Sequence, residues 1–342
     1  MLSIDHYRAL RERTGLVDRS ARGKIVVAGS DRGTYLHAML TNDIAALKAG
    51  TGCYAAYLTA QGRMIADMCV YELGDVCLLD VHPSVKGTIV ERLDQFVFSE
   101  DVRLGDVTDA FGSLGLYGPT SARVLSETLR GALAGDTASE DALAALLPFQ
   151  NLRAPFNGEP AIVVAAGRAG VAGFEIYIDR RLADPLTRAV IEAGAEPVDV
   201  EATETIRIEA GLPAFTVDMD QDTIPLEAGI EREAISFTKG CYPGQEVVIR
   251  ILHRGHGRVA KKLAGILVQA EEVPDTGDRV YVEDREVGRI TSAAYSPSLL
   301  APIALGYVQP EYLQPGTALA IAHGDHRLPA VVGLLPFVAP TR

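Results

Sequence analysis

The chain has 342 residues, of which 48% are hydrophobic and 23% charged, a composition typical of a folded protein with two or three domains. Its formal net charge of −13 repels nucleic acid, and no apolar run approaches the roughly 20 residues of a membrane helix. The first residues lack a basic segment followed by an apolar one, so we expect no secretory signal and a cytoplasmic protein. These properties favour a small molecule or another protein as partner.

The first 110 residues predict alternating helices and strands. A hairpin is expected around Gly62, because apolar, β-like segments flank this turn. No Gly-rich turn of a dinucleotide fold is present, so the pattern is typical of an α+β protein. The segments with helical spacing are 3–14, 31–40 with Asp31 as a possible cap, and 83–98, and those with strand composition are 24–28, 54–59, 64–71 and 76–81.

The middle of the chain again predicts alternating helices and strands, whereas the C-terminal part predicts strands alone. From about Leu263 onward, short strands alternate with proline and glycine turns, which predicts an all-β unit and most simply a small barrel. Before it we expect a strand-to-helix joint at 114–119, helices at 120–129 and 181–194, a short helix within 131–147, and strands at 160–165 and 173–179.

The four cysteines are Cys53, Cys69, Cys77 and Cys241. They do not form a disulfide framework, because the chain is long and their spacing is sparse. Cys69 and Cys77 lie in apolar segments and are expected to be buried thiols. A zinc site at Cys241, His253 and His256 would lack a fourth ligand and the usual spacing, so we predict no metal.

The segment 239–246 combines a lone cysteine with turn-forming residues. Gly240 and Pro243-Gly244 permit a sharp bend that can present the Cys241 thiol, and Lys239 is close enough in sequence to favour the thiolate. The alternative is a structural turn that enters a β-rich strand at 247–252, and the octapeptide alone leaves both open. Its candidate residues are Lys239, Gly240, Cys241, Tyr242, Gly244, Gln245 and Glu246.

Two carboxylates interrupt apolar patterns. Asp67 lies in a predicted strand, where it either faces solvent or needs a hydrogen-bonding partner. Glu209 ends a short amphipathic helix, where a salt bridge with Arg207 is the alternative to a ligand role. A carboxylate suits a ligand edge with two adjacent N–H donors, because its two oxygens can accept both. Weaker candidates are Asn42, Asp43, Tyr117, Glu175 and Glu227.

Several motifs resemble one family, in the right order and over nearly the whole chain. The string K-G-C-Y-x-G-Q-E resembles the signature of the YgfZ family of folate-binding proteins, which are relatives of the glycine-cleavage aminomethyltransferase, the T-protein. The other matching elements are 41–43 (T-N-D), 61–67 (Q-G-R-M-I-A-D), 207–213 (R-I-E-A-G-L-P), 224–229 (I-P-L-E-A-G), 288–292 (G-R-I-T-S) and 304–308 (A-L-G-Y-V).

This resemblance implies an α+β fold with three lobes in a ring around a central tetrahydrofolate channel, and a small C-terminal β-barrel. The first lobe would span 1–110 and take back part of about 200–260. The second would span 111–200, and the barrel 261–342.

The resemblance also implies residue roles. Asp67 matches the acidic position that aminomethyltransferases use beside the reactive folate nitrogen, although Ala66 replaces the first of the two acids common there. Glu209 matches a pterin-binding glutamate, and Cys241 would be a functional thiol. The remaining channel residues would be Asn42, Tyr117 and Glu175.

Four functions are compatible with these motifs. The main hypothesis is a YgfZ-like tetrahydrofolate-binding protein that supports iron–sulfur cluster assembly or repair, with client or assembly proteins as partners. The alternative is an aminomethyltransferase, against which stand Ala66, the sequence S-A-R-G at 20–23 where T-proteins have S-H-M-G, and the K-G-C-Y-x-G-Q-E string, which T-proteins do not carry. These departures predict that the chain does not complete glycine cleavage. A folate-dependent demethylase and a scaffold with a vestigial pocket are the other two.

Overall fold

In a computed structural model, which describes residues 2–129, 138–253 and 257–339, the chain forms two sheets flanked by helices, and a closed barrel. The described helices are α1 Ile4–Glu12, α2 Arg32–Met39, α3 Lys86–Asp94, α4 Ser121–Leu129, α5 Glu140–Ala144, α6 Ala183–Glu192, α7 Val200–Glu209, α8 Pro225–Ala228, α9 Glu231–Ala234 and α10 Gln245–His253. The described strands are β1 Gly15–Asp18, β2 Gly23–Ala28, β3 Thr51–Leu58, β4 Met64–Glu72, β5 Val76–Val81, β6 Arg103–Asp106, β7 Phe111–Tyr117, β8 Asn151–Phe156, β9 Glu159–Ala165, β10 Gly173–Asp179, β11 Glu196–Pro197, β12 Lys262–Val268, β13 Arg279–Val282, β14 Arg285–Ser296, β15 Ala301–Val308, β16 Ala318–His323 and β17 His326–Gly333.

The first sheet is antiparallel, with the strand order β3-β4-β5-β2-β6. Alternation along β4 places Ala66, Met68 and Val70 on one face, in the core with α2 and α3. Residues from 215 to 248, far along the chain, also pack into this core. The hairpin predicted around Gly62 is confirmed, since Gly62 adopts a φ of +75° between β3 and β4.

The second sheet has the order β11-β1-β7-β10-β9-β8, with α4 and α6 packed on one face. Its strand β1 comes from the N-terminal segment and pairs with β7. Residues 15–18 therefore lie with the second sheet, so the chain crosses between lobes before β2 begins. The predicted boundaries at 110 and 200 stay predictions.

The two sheets meet face to face. Tyr71 and Leu78 of the first sheet pack against Ile162, Val164 and Tyr177 of the second. Because side chains alternate along a strand, the face of β4 that carries Tyr71 also carries Asp67 and Cys69. The alternating strand thus directs Asp67 toward the second lobe.

The C-terminal strands confirm the predicted barrel, which closes in the order β12-β15-β14-β13-β16-β17. Its interior is filled by aliphatic side chains such as Ile266, Ile290 and Ile321. Ile208 of α7 packs on its outer surface with Leu305 and Tyr307, which fixes the barrel against the rest of the molecule.

The prediction of a strand at 247–252 is wrong, because these residues belong to α10. Their β-branched composition favours a strand, but Val248, Ile251 and Leu252 have the spacing i, i+3, i+4 and pack together on the first core. Burial of this helical stripe overrides the local preference.

Candidate functional site

Charged side chains gather at one end of the interface between the sheets. Asp80 of β5 lies opposite Cys69 in the register and is completely buried. Arg22 donates to Asp80 Oδ1 over 2.6 Å from Nε, and Arg19 Nη2 lies 3.3 Å from Asp80 Oδ2. Burial alone would raise the pKa of Asp80, but Arg22 and Arg19 hold it below its usual range. The carboxylate is therefore ionised and paired.

Glu175 of β10 faces this cluster from the second sheet. Arg19 Nη2 lies 3.0 Å from its Oε1, and the hydroxyl of Tyr177 lies 3.0 Å from its Oε2. The hydroxyls of Tyr117 and Tyr71 approach at 3.3 and 3.4 Å. These last two contacts are long and weak, so a ligand with better donors could replace them.

Tyr117 and Glu175, both predicted to line a channel, thus lie in one network. Tyr117 is buried and its hydroxyl also accepts a hydrogen bond of 3.1 Å from Arg19 Nη1. Burial raises the pKa of the Tyr117 phenol, which stays a neutral donor at physiological pH.

Asp67 lies next to the same interface, half-buried. The hydroxyl of Tyr54 donates to Asp67 Oδ2 over 2.6 Å. Arg168, between β9 and β10, stacks its guanidinium on the Tyr54 ring at 3.9 Å from the centroid and pairs with Glu233. Burial raises the pKa of Tyr54 well above its ordinary value, so the hydroxyl remains protonated beside the carboxylate.

Asn42 braces this region through its side-chain amide. Its Nδ2 donates to the backbone carbonyls of Tyr54 and Glu233, both at 2.8 Å. Both amide protons are used, so Asn42 connects β3 to α9 and positions the two residues that flank Arg168.

Glu209 lies elsewhere, where α1, α7 and the barrel meet. It is completely buried, and its carboxylate accepts hydrogen bonds from Tyr7, Arg11 and Ser296. Within the described residues, Glu209 shares no hydrogen-bonding partner with Asp67. The pterin role of Glu209 stays a prediction, but its contacts are those of a structural clamp between lobes.

The octapeptide forms an exposed loop that leads into α10. The side chain of Cys241 is exposed, and Tyr242 beside it is buried. Gly244 has a φ of +83° and lies against the hairpin at Gly62, where a Cβ atom would come within 2.5 Å of the Thr59 carbonyl oxygen. Gln245 and Glu246 begin α10.

The sequence suggested that Lys239 favours the Cys241 thiolate, but the structure directs its amine elsewhere. Its Nζ donates to the backbone carbonyls of His37 and Leu40, at the C-terminal end of α2. Burial lowers the pKa of this amine to about 8. Lys239 therefore anchors the loop.

The described residues contain no group of three or more His, Cys, Asp or Glu side chains arranged to hold a metal ion. His256, one of the residues considered for zinc, lies outside the described part of the chain. Across those same ranges, no helix has the length and apolarity needed to cross a membrane.

Two cavities lie away from Asp67 and do not include it. One of about 500 Å³ lies between α1, α7 and β14, and includes Leu2, Thr205 and Tyr295. The second, of about 440 Å³, includes Ala21 and Arg180. Ala21, where the T-protein motif has histidine, thus borders a separate cavity.

The sequence did not reveal Arg19, Arg22, Asp80 and Arg168 as site residues. Asp80 could have been found by the pattern that identified Asp67, because both are acids within an apolar strand. The arginines lie in loops, where no periodicity distinguishes a buried cation from a solvated one.

Comparison with known families gives two matches along the chain. The GCVT N-terminal domain matches residues 2–239, and the glycine cleavage T-protein C-terminal barrel domain matches residues 261–339.

Curated relatives align over almost the full length. An aminomethyltransferase from Rubrobacter xylanophilus is 31% identical over 331 residues, which cover 97% of this chain and 85% of that protein. An aminomethyltransferase from Streptomyces avermitilis is 29% identical, with coverages of 97% and 88%. The solved glycine cleavage system aminomethyltransferase T from Bartonella henselae superimposes with a TM-score of 0.87 at 23% identity, covering 98% of this chain and 89% of that one, which shows the shared fold.

Proposed function

The chain belongs to the glycine cleavage T-protein family, the aminomethyltransferase superfamily, and on that premise we propose that it binds tetrahydrofolate and transfers a one-carbon unit to it. The proposed site is the interface between the two sheets, around Asp67 and Glu175. The observation that carries this proposal is the position of Asp67, whose Oδ2 is held by Tyr54 at 2.6 Å on the face toward the second lobe.

Tetrahydrofolate fits the chemistry of this cluster. Its reduced pterin offers N–H groups that need acceptors and a carbonyl that needs a donor. Asp67 and Glu175 supply carboxylate acceptors, and Arg168 Nη2 and Arg19 Nε are buried donors without a partner among the described residues. Unsatisfied buried donors are uncommon in folded proteins and indicate a place where a ligand can bond.

We assign the pterin carboxylate to Glu175 rather than to Glu209. Glu175 lies in the network that includes Arg19 and borders Asp67, and two of its tyrosine contacts are long. Glu209 has strong partners on both oxygens and bonds to the barrel through Ser296. Recruiting Glu209 for a ligand would leave Arg11 as an unpaired buried cation, which is costly.

The proposed reaction moves a methylene group without oxidation or reduction. The C–N and C–S bonds of an aminomethyl group on a carrier sulfur break, and its carbon forms bonds to N5 and N10 of tetrahydrofolate. One folate N–H proton goes to the departing ammonia and the other to the carrier sulfur, so that the products are the carrier thiol, ammonia and methylenetetrahydrofolate. Asp67 would accept a folate proton and return it to the departing ammonia.

Two of the sequence departures that argued against this reaction, Ala66 and Ala21, lie away from the Asp67 cluster, whereas Arg22 of the same S-A-R-G sequence lies in the neighbouring charged cluster and pairs with Asp80. Ala66 alternates to the opposite face of β4 and is completely buried in the first core, so an acid there would not approach the ligand of Asp67. Ala21 lines the separate 440 Å³ cavity. Neither departure removes a group from the proposed site.

Calorimetric titration with tetrahydrofolate and a reconstituted transfer assay test the proposal together. We expect Asp67→Asn and Glu175→Gln each to weaken binding by about 1.5–3 kcal/mol, because each removes a charge-assisted hydrogen bond. Asp67→Asn should also lower kcat by about 100-fold or more, measured as ammonia release from an aminomethylated carrier protein.

The control is Asp222→Asn, at a strongly exposed carboxylate outside the cluster. Wild-type affinity in both Asp67 and Glu175 variants would refute the site. Folate binding without any transfer by the wild-type protein would leave the site and refute the reaction.

A second candidate function is the YgfZ-like support of iron–sulfur enzymes through a thiol. The observation that favours it is the exposure of Cys241 in the octapeptide loop, whereas Cys77 is buried and Cys53 and Cys69 are half-buried. This function would also use bound tetrahydrofolate, so it differs from the first in its requirement for Cys241.

A further inference from the structure

The side chain of Arg168 is largely buried but incompletely paired. Its Nη1 bonds to Glu233, and its guanidinium carbon lies 3.9 Å above the centroid of the Tyr54 ring. Its Nη2 is buried and has no hydrogen-bonding partner among the described residues. The protein therefore fixes one edge of the planar guanidinium, while the other edge has an N–H donor available for a ligand.

A complementary acceptor lies on the neighbouring carboxylate. Asp67 receives the Tyr54 hydroxyl on Oδ2, and within the described ranges its Oδ1 makes no hydrogen bond. Tyr54 connects the two groups, because it offers its ring to Arg168 and its hydroxyl to Asp67. A ligand that lies beside Tyr54 thus meets an unused N–H donor and an unused carboxylate oxygen.

The matching ligand edge has an acceptor next to an N–H. A reduced pterin has this arrangement at its C4 carbonyl, which is flanked by ring N–H groups on both sides. In the orientation that brings N5–H to Asp67, as the proposed proton transfer requires, the acceptor that faces the cation is the C4 oxygen, and not N1 on the far side of the ring. A 4-amino analogue would place an N–H donor against Arg168 instead.

We propose that Arg168 determines specificity for 4-oxo pterins, by donating from Nη2 to the C4 carbonyl oxygen of the folate bound at Asp67. The proposal rests on the tetrahydrofolate site proposed above and adds the residue that recognises the C4 carbonyl of the ring. Arg168 is a binding residue here, and the proton transfers stay with Asp67.

The test compares tetrahydrofolate with its 4-amino-4-deoxy analogue by calorimetric titration. We expect wild-type protein to prefer the 4-oxo ligand, since a site built around a donor rejects an analogue that presents another donor. Arg168→Met should weaken tetrahydrofolate binding by about tenfold to a hundredfold, corresponding to one charge-assisted hydrogen bond, and change binding of the 4-amino ligand by less than about threefold.

Two further variants separate recognition from folding. Glu233→Gln removes the ion pair but keeps the guanidinium, so the preference for the 4-oxo ligand should persist. Arg168→Lys serves if the Met variant does not fold, because a lysine ammonium cannot satisfy Glu233 and the carbonyl together, and the preference should again fall. Arg153→Met, at an exposed ion pair with Asp75, is the matched control.

The outcomes are distinct. Equal losses for both ligands in Arg168→Met and Arg168→Lys would show that Arg168 only stabilises the lobe, and would overturn the inference while the folate site stands. No binding of either ligand to wild-type protein would overturn the folate site and this inference with it.

Discussion

Cys53, Cys69 and Cys77 lie in or against a core, and burial raises the pKa of each thiol to about 12. Cys77 also donates to Glu72 over 3.2 Å. Cys241 is exposed on its loop. The sequence predicted burial of Cys69 and Cys77 from their apolar neighbours. It could not predict that Lys239 turns toward α2, since that contact joins residues about two hundred positions apart.

We expect iodoacetamide to modify Cys241 first in the native protein. The thiolate is the reactive form, and at neutral pH thiols with a pKa of about 12 hold almost none of it. Mass-spectrometric footprinting measures the four rates, with Cys77 as the internal control. Protection of Cys241 equal to that of Cys77 would contradict the expected exposure.

The same residue decides between the two functions. If the thiol supports iron–sulfur enzymes, Cys241→Ala should fail to restore their activity in cells lacking the native protein, while the protein folds normally. Full restoration by Cys241→Ala would assign the octapeptide a structural role, and the one-carbon transfer reaction would not be affected.

At the scale of elements, the loop at 239–246 and helix α10 dock onto the β3–β4 hairpin through two glycines. Gly244 has a φ of +83°, and its Cα packs against the Thr59 carbonyl and the backbone of Gly62. The sequence correctly indicated a tight turn, because Pro-Gly permits it. It predicted the following segment as a strand, since helical burial of Val248 depends on a distant core that local composition does not contain.

We expect Gly244→Ala to destabilise this docking and Gly240→Ala to leave it intact. An alanine at position 244 would be forced into a positive φ, and its Cβ would meet backbone atoms that cannot move easily. We expect this to cost about 1–3 kcal/mol. A Cβ at Gly240 would meet nothing within 4 Å. Hydrogen exchange of residues 245–253 checks this; equal exchange in both variants would show that the glycine contact does not hold α10.

At the scale of the whole molecule, the proposed site depends on two sheets that meet face to face. The apolar neighbours of Asp67 marked this acid as a candidate, so its half of the proposed site could be predicted from sequence. The other half could not, because nothing in the strand pattern shows that Glu175 of β10 faces the cluster at Asp80, about a hundred residues away. The order of the motifs indicated the family and the barrel. The rest of the proposed site is formed by charge pairs between distant residues, which only the structure shows.

Glu209 belongs to this largest scale, since it joins α1, α7 and the barrel. We expect Glu209→Gln to lower the free energy of unfolding by about 3–5 kcal/mol, because it leaves the buried Arg11 without its counter-charge. Glu204→Gln on the same helix removes a half-exposed partner of Arg207, which keeps Asp218, and should cost less than about 1 kcal/mol.

Denaturant unfolding measures the difference between these variants, and titration of the folded Glu209→Gln protein measures its role toward the ligand. Because Glu209 shares no partner with Asp67 in the described chain, tetrahydrofolate affinity should stay within about twofold of wild type wherever the variant is folded. A variant of unchanged stability that loses folate binding would instead make Glu209 the pterin ligand, as its motif first suggested, and would remove that role from Glu175.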